Sequence, residues 1–164
     1  MAAEKVALYG GMMSAIIPKE FKDVSEVREV PDHQHVLMSY ERERSVIIEL
    51  NEMLPTTDTN ETCVEHFKEL ARINLSPDYT LTAIFEMADE SIPTRLGQGA
   101  LIADCSGSQT VNGKKITMEM IVVRMPAVHT DLLITAMSAD PTDIPDIARG
   151  IAASITVHDW RLFG

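Results

Sequence analysis

The dipeptide Asn112-Gly113 lies between two long runs rich in apolar and β-branched residues, 100–111 and 114–125. Asn and Gly both tolerate positive φ, which a two-residue hairpin turn of the twist-compatible kind demands at both central positions. The pair therefore predicts an antiparallel hairpin whose arms run the length of those two segments. A ribbon of two strands is marginal in water, so this one must bury a face against further strands or a helix. A chain built around it is a sheet protein with something packed on the sheet.

Other segments supply the rest. Val6–Tyr9 reads as a short strand ending at Gly10-Gly11, and Ala15–Ile17 as a second, stopped by Pro18. Between Pro18 and Pro31 neither a long helix nor a long strand fits, because each proline removes a donor and pushes its predecessor toward extended geometry. The segment alternates Phe21, Val24, Val27 and Val30 with Asp23, Glu26, Arg28 and Glu29, and is expected to be an ordered loop. Gln34–Ser39 and Arg44–Met53 are strands joined through a solvated turn at Glu41–Arg44, the second dense in β-branched residues. A helix is expected after the break at 55–60, with Thr59 or Asn60 as N-cap, Val64, Phe67, Leu70 and Ala71 as its apolar stripe, and an end near Asn74. Tyr79–Met87 alternates, predicting Leu81, Ala83, Phe85 and Met87 toward the core, and a polar connection covers 88–97. Asp131–Ser138 is a further strand and Ile144–Ser154 a second helix. The sum is an α+β domain, one unit over residues 1–164, in which helices cover a mostly antiparallel sheet.

Composition excludes some functions. At 164 residues the chain can bury a sizeable single core. A formal charge of −11 disfavours nucleic acid and anionic membranes, which would repel it, and suits a basic protein partner. Cys63 and Cys105 are too few for a disulfide framework and read as free thiols in a reducing compartment. The first residues carry no basic stretch followed by an apolar one, so no secretory signal is expected there.

No constellation nominates an enzyme. His33 and His35 could share a strand face, as metal ligands do, but no third ligand stands at a useful spacing and surface histidines explain them equally well. Gly97-Gln98-Gly99 lacks the third glycine and the context of a dinucleotide loop. Ser14, His158 and Asp159 can be drawn as a triad, as such a trio can in any chain this long. Met12-Met13 beside Gly11 could form an adaptable contact surface.

Several strings together resemble a known family. They are Leu8-Tyr9-Gly10-Gly11, Ser14-Ala15-Ile16-Ile17-Pro18, Asp23-Val24-Ser25, Arg28-x-Val30-Pro31-Asp32-x-Gln34 and Ser45-Val46-Ile47-Ile48-Glu49-Leu50. They resemble the Ran guanine-nucleotide release factors, the Mog family, and the likeness returns at Thr130–Thr135 and Val157-His158-Asp159. The resemblance implies a PsbP-like fold, a central antiparallel sheet with helices on both faces. It implies a monomeric, non-enzymatic regulator without a cofactor that binds the small GTPase Ran, promotes release of its nucleotide and supports nuclear import from nucleus and cytoplasm. In that family an acidic surface around the Val-Pro-Asp loop carries the Ran contact. Carried over, this nominates Asp23, Asp32 and Glu49, with His35 standing where the family usually has glutamate. A second departure is Pro18-Lys19-Glu20-Phe21 in place of the commoner Pro-Pro-Gly-Phe. The alternatives are an adaptor of the same fold serving another protein, and a small-molecule binding domain.

Overall fold

Every strand pair among the described residues is antiparallel, and the long hairpin lies inside the larger of two sheets. The computed structural model describes residues 2–164, apart from the side chain of Pro93. Among the described residues ten strands occur: β1 Ala3–Leu8, β2 Met13–Pro18, β3 Lys22–Asp23, β4 Gln34–Ser39, β5 Arg44–Glu52, β6 Tyr79–Glu86, β7 Leu101–Val111, β8 Lys114–Met125, β9 Thr130–Ser138 and β10 Thr156–Val157. Three α-helices join them: α1 Thr59–Ile73, α2 Ile92–Leu96 and α3 Ile144–Ser154. Seven strands form one sheet in the order β3-β4-β5-β9-β8-β7-β6, and β1-β2-β10 form a separate sheet of three. The turn between β7 and β8 is the expected one, with Asn112 at φ 52 and Gly113 at φ 79.

The large sheet is apolar on both faces, which is why it needs cover on both. One face carries Leu37, Val46, Ile48, Ile121, Val123 and Ile134, and packs against α3 and the small sheet. The other carries Ala103, Cys105, Met118, Met120, Val122 and Leu133, and packs against α1 through Cys63 and Phe67. This is the expected sheet with helices on both faces, supplemented by a second sheet that was not foreseen. Its strands β1 and β2 are joined by a tight reversal in which Tyr9, Gly10 and Gly11 all adopt positive φ and turn the chain back on itself.

Several local expectations change. In α1 the buried side is Thr62, Cys63, His66, Phe67 and Ala71, so Val64 faces outward and the stripe is rotated from the predicted one. The N-cap is Asp58, whose carboxylate accepts from the N–H of Asn60 at 3.0 Å. In β6 a bulge between Leu81 and Ala83 shifts the alternation, so Leu81 and Ile84 pack inward while Phe85 is 45 % exposed. The 88–97 connection contains α2, which buries Ile92 and Leu96. Arg44 does not belong to a solvated turn: it is buried, forks onto Glu20 and donates to the carbonyl of Thr142 at 3.3 Å. Met13 is fully buried and forms no contact surface.

On the α1 face a buried network fastens the segment before the helix. Asp131 accepts from Arg124 Nε at 3.0 Å and from the N–H of Leu54 at 3.1 Å, and lies 2.8 Å from His66 Nε2. Burial alone would raise the Asp131 carboxyl, but these donors outweigh it and hold it below the usual range.

Candidate protein-docking site

The β4–β5 hairpin brings Asp32 and Glu49 together at one end, while Asp23 lies further along its edge and on the other face. Gln34, the first residue of β4, pairs with Glu49 of β5, and its side-chain amide donates to Glu49 Oε2 at 2.8 Å. Asp32 is exposed in the turn two residues earlier, a turn closed by Gln34 N–H donating to the carbonyl of Pro31 at 3.0 Å. Asp32, Gln34 and Glu49 thus sit at the same end of the hairpin. Asp23 pairs with Leu37 further along β4. Side chains alternate along a strand, so Asp23, His35, Leu37 and Ile48 share one face, while Gln34, Val36, Ile47 and Glu49 share the other. The three acids therefore straddle the β3–β4 edge of the sheet. Asp23 also caps the short helical turn at 24–26, accepting from Ser25 N–H at 2.8 Å.

The Glu49 face is incompletely covered. Helix α1 lies over β6 and β7, at the far side of the sheet. Beside it runs a groove of about 910 Å³ whose floor includes Val36, Ile47, Leu133 and Thr135. Glu49 stands on this groove, and Ile73 at the end of α1, 60 % exposed, forms part of its wall. Arg28, Lys68 and Arg72 also line the groove, so Glu49 stands among charges of both signs above an aliphatic floor, a setting suited to a protein surface that presents aliphatic and charged groups.

His35 behaves differently from the solvent-facing residue expected of it. It is half-buried, its Nε2 accepts the backbone N–H of Tyr9 at 3.0 Å, and its ring meets that of Tyr9 edge-on at 4.5 Å between centroids. Burial holds the imidazole below its ordinary pKa, with the Asp23 charge opposing. Its sequence neighbour His33 lies just outside β4. Among the described residues no group of three or more His, Cys, Asp or Glu is placed to hold a metal ion. Ser14 Oγ and His158 Nε2 do meet, at 2.7 Å, but the Asp159 carboxylate is engaged by Arg161 and the three residues are not arranged as a triad. Tyr9 and Gln34 are the participants that sequence reasoning missed. Tyr9 stands in the family string Leu8-Tyr9-Gly10-Gly11, but nothing there says that it reaches the β4–β5 hairpin.

A family model described as Ran-interacting Mog1 protein matches residues 6–139, a span that takes in the hairpin, the groove and the whole of the large sheet. The chain belongs to the Mog1 family. A relative in Bos taurus, a Ran guanine nucleotide release factor, is 29 % identical over an alignment of 178 residues covering 96 % of this chain and 95 % of that protein. A nuclear import protein of Saccharomyces cerevisiae, MOG1, is 32 % identical over 85 residues, covering 45 % of this chain and 39 % of its own. The crystal structure of the Saccharomyces cerevisiae Ran-binding protein Mog1p matches with a TM-score of 0.81 at 20 % identity, covering all of both chains. The Mog1 fold is thus shared from end to end.

Proposed function

We propose that this Mog1-family protein binds the small GTPase Ran through the acidic end of the β4–β5 hairpin, promotes release of its guanine nucleotide and so supports nuclear protein import. The observation that carries the reading is the fixing of Glu49 by Gln34 beside the exposed Asp32, at the rim of a groove with an aliphatic floor. The family's relatives named as Ran release factors and nuclear import proteins point to the partner. Asp23, across the strand edge, reaches the same partner if that partner wraps the edge. The protein acts as a regulator passing between nucleus and cytoplasm, and needs no cofactor of its own.

The physical logic is one of differential affinity. A GTPase holds its nucleotide and Mg²⁺ through backbone donors and a lysine, so carboxylates docked beside that site compete for the cation or for basic side chains. Release follows only if the protein binds the nucleotide-poor state more tightly than the loaded one.

The test is Ran loaded with a fluorescent nucleotide, mixed with the parent protein and with Asp32→Ala and Glu49→Lys. The parent should accelerate release. Asp32→Ala should stay folded, since exposed substitutions usually change stability by less than about 0.5 kcal/mol, whereas Glu49→Lys also removes the acceptor of the Gln34 amide and is read beside circular dichroism that shows it folded. Each should also weaken binding, because removing one partner of a desolvated charge pair costs roughly 2–5 kcal/mol. Variants that bind and release like the parent would remove these acids from the contact. No complex between the parent and Ran would leave an adaptor for another protein as the better reading.

A further inference from the structure

Tyr9 belongs to the turn between β1 and β2, in the small sheet, yet it reaches across to the hairpin that carries Asp32 and Glu49. Its N–H donates to His35 Nε2 at 3.0 Å. Its hydroxyl donates to the carbonyl of His33 at 3.0 Å and lies 3.3 Å from that of Ile48. The backbone of Tyr9 is held at φ 51, a left-handed conformation uncommon for a residue that carries a Cβ. Gly10 and Gly11 follow at φ 66 and φ 87 and complete the reversal. A tight turn is thus spent on aiming one tyrosine at the start of β4.

We propose that Tyr9 and His35 form a proton-sensitive clasp that positions the 31–34 turn, and with it Asp32, for the protein partner. The clasp rests on the Ran-docking reading above and adds its regulation. Nε2 can accept an amide proton only through a free lone pair, so the imidazole must be neutral with its proton on Nδ1. Protonation puts a second N–H on Nε2, pointing at the N–H of Tyr9, and two donors cannot bond. The groups around His35 are few. Asp23 faces it from β3 and favours the charged form, while β5 presents the uncharged Ile48. Glu49 lies on the opposite face and bears on the Tyr9 hydroxyl instead. Burial, the larger influence on His35, wins over Asp23. The clasp is closed at neutral pH and opens on the acid side of the ordinary histidine range. The Tyr9 hydroxyl, pushed far above its usual range by burial and then by Glu49, stays a donor throughout.

The experiment measures affinity for Ran between pH 7.5 and 5 for the parent, His35→Leu, His35→Gln and Tyr9→Phe, alongside an NMR titration of the His35 ring. Comparing variants at each pH cancels titration of Ran itself. At pH 7.5, His35→Leu leaves the Tyr9 N–H without an acceptor and should bind about tenfold more weakly. Gln places a non-titrating carbonyl at a similar reach and should recover most of that loss. On acidification the parent should weaken relative to His35→Gln by about five- to tenfold, following the His35 titration. Tyr9→Phe should weaken binding severalfold at every pH while circular dichroism shows it folded. A parent-to-Gln ratio that is flat with pH, or folded Leu and Phe variants that bind like the parent, would overturn the clasp. Asp32→Ala serves as the separate check on the docking reading. If that variant binds like the parent, the docking reading falls and the clasp is decided by amide exchange. Exchange at Tyr9 should then quicken as His35 protonates, and exchange indifferent to that titration overturns it.

Discussion

Asp104 and Glu119 are buried carboxylates on neighbouring strands, with one guanidinium between them. Arg149 Nε donates to Asp104 Oδ2 at 2.5 Å, and its Nη2 stands 3.7 Å from Glu119 Oε2, which accepts from Ser106 Oγ at 2.7 Å. Asp104 Oδ1 is buried and receives no donor while both acids are ionised. A proton on Glu119 supplies one. Burial, with the hydrogen bond to Asp104 adding to it, pushes the Glu119 carboxyl up to about 8. An unfolded glutamate titrates near 4.3 (approximately). The folded chain therefore holds a proton that the unfolded chain has lost across the interval between those values. The stability Glu119 contributes is fully present below the unfolded pKa and is lost as pH rises through the folded one. Glu119→Gln keeps a donor for Asp104 and an acceptor for Ser106 at any pH. Its melting temperature should thus decline less than the parent's between pH 5 and 9. Parallel profiles for the two proteins would mean that Glu119 is ionised in the fold.

Helix α1 is held down chiefly by Phe67, and β7 makes room for it with a glycine. A Cβ on Gly107 would lie 2.4 Å from the carbonyl oxygen of Thr80 and 2.7 Å from Phe67 Cζ. Neither neighbour can yield easily, since one is backbone of β6 and the other a fully buried ring. Gly107→Ala should therefore cost about 1–3 kcal/mol by overpacking, read as a fall in the urea midpoint. The loss should be largest for probes on α1 and β6. An unchanged midpoint would show that α1 can shift outward without penalty. The same packing accounts for the groove: anchored over β6 and β7, α1 leaves a cleft between itself and the β4–β5 side of the sheet.

The whole molecule is strongly acidic, at −11 over 164 residues. A field of that sign accelerates encounter with a basic partner and is screened beyond roughly 8 Å at physiological salt. Association with Ran should accordingly slow markedly as salt is raised from low to physiological ionic strength, with dissociation changing less. An on-rate indifferent to salt in stopped-flow mixing would remove the steering argument while leaving the contact itself untouched.

The long hairpin, the β4–β5 pair, α3 and the α+β class were legible because each rests on a local signal: a turn that needs Asn-Gly, a run of β-branched residues, an apolar face repeating every three or four positions. Family strings marked Asp23, Asp32 and Glu49 in the same way. Pleat and register decided what those acids can do together, since Asp23 and Glu49 emerge on opposite faces of strands whose pairing no single segment specifies. The bulge in β6 and the rotation of α1 were hidden for a related reason: alternation and stripe pattern say that a face is apolar, while packing against β7 selects which one. Tyr9 shows the limit most plainly. Its bonds to His33 and His35 span 24 and 26 residues and join two separate sheets, and such a contact exists only once both sheets have formed.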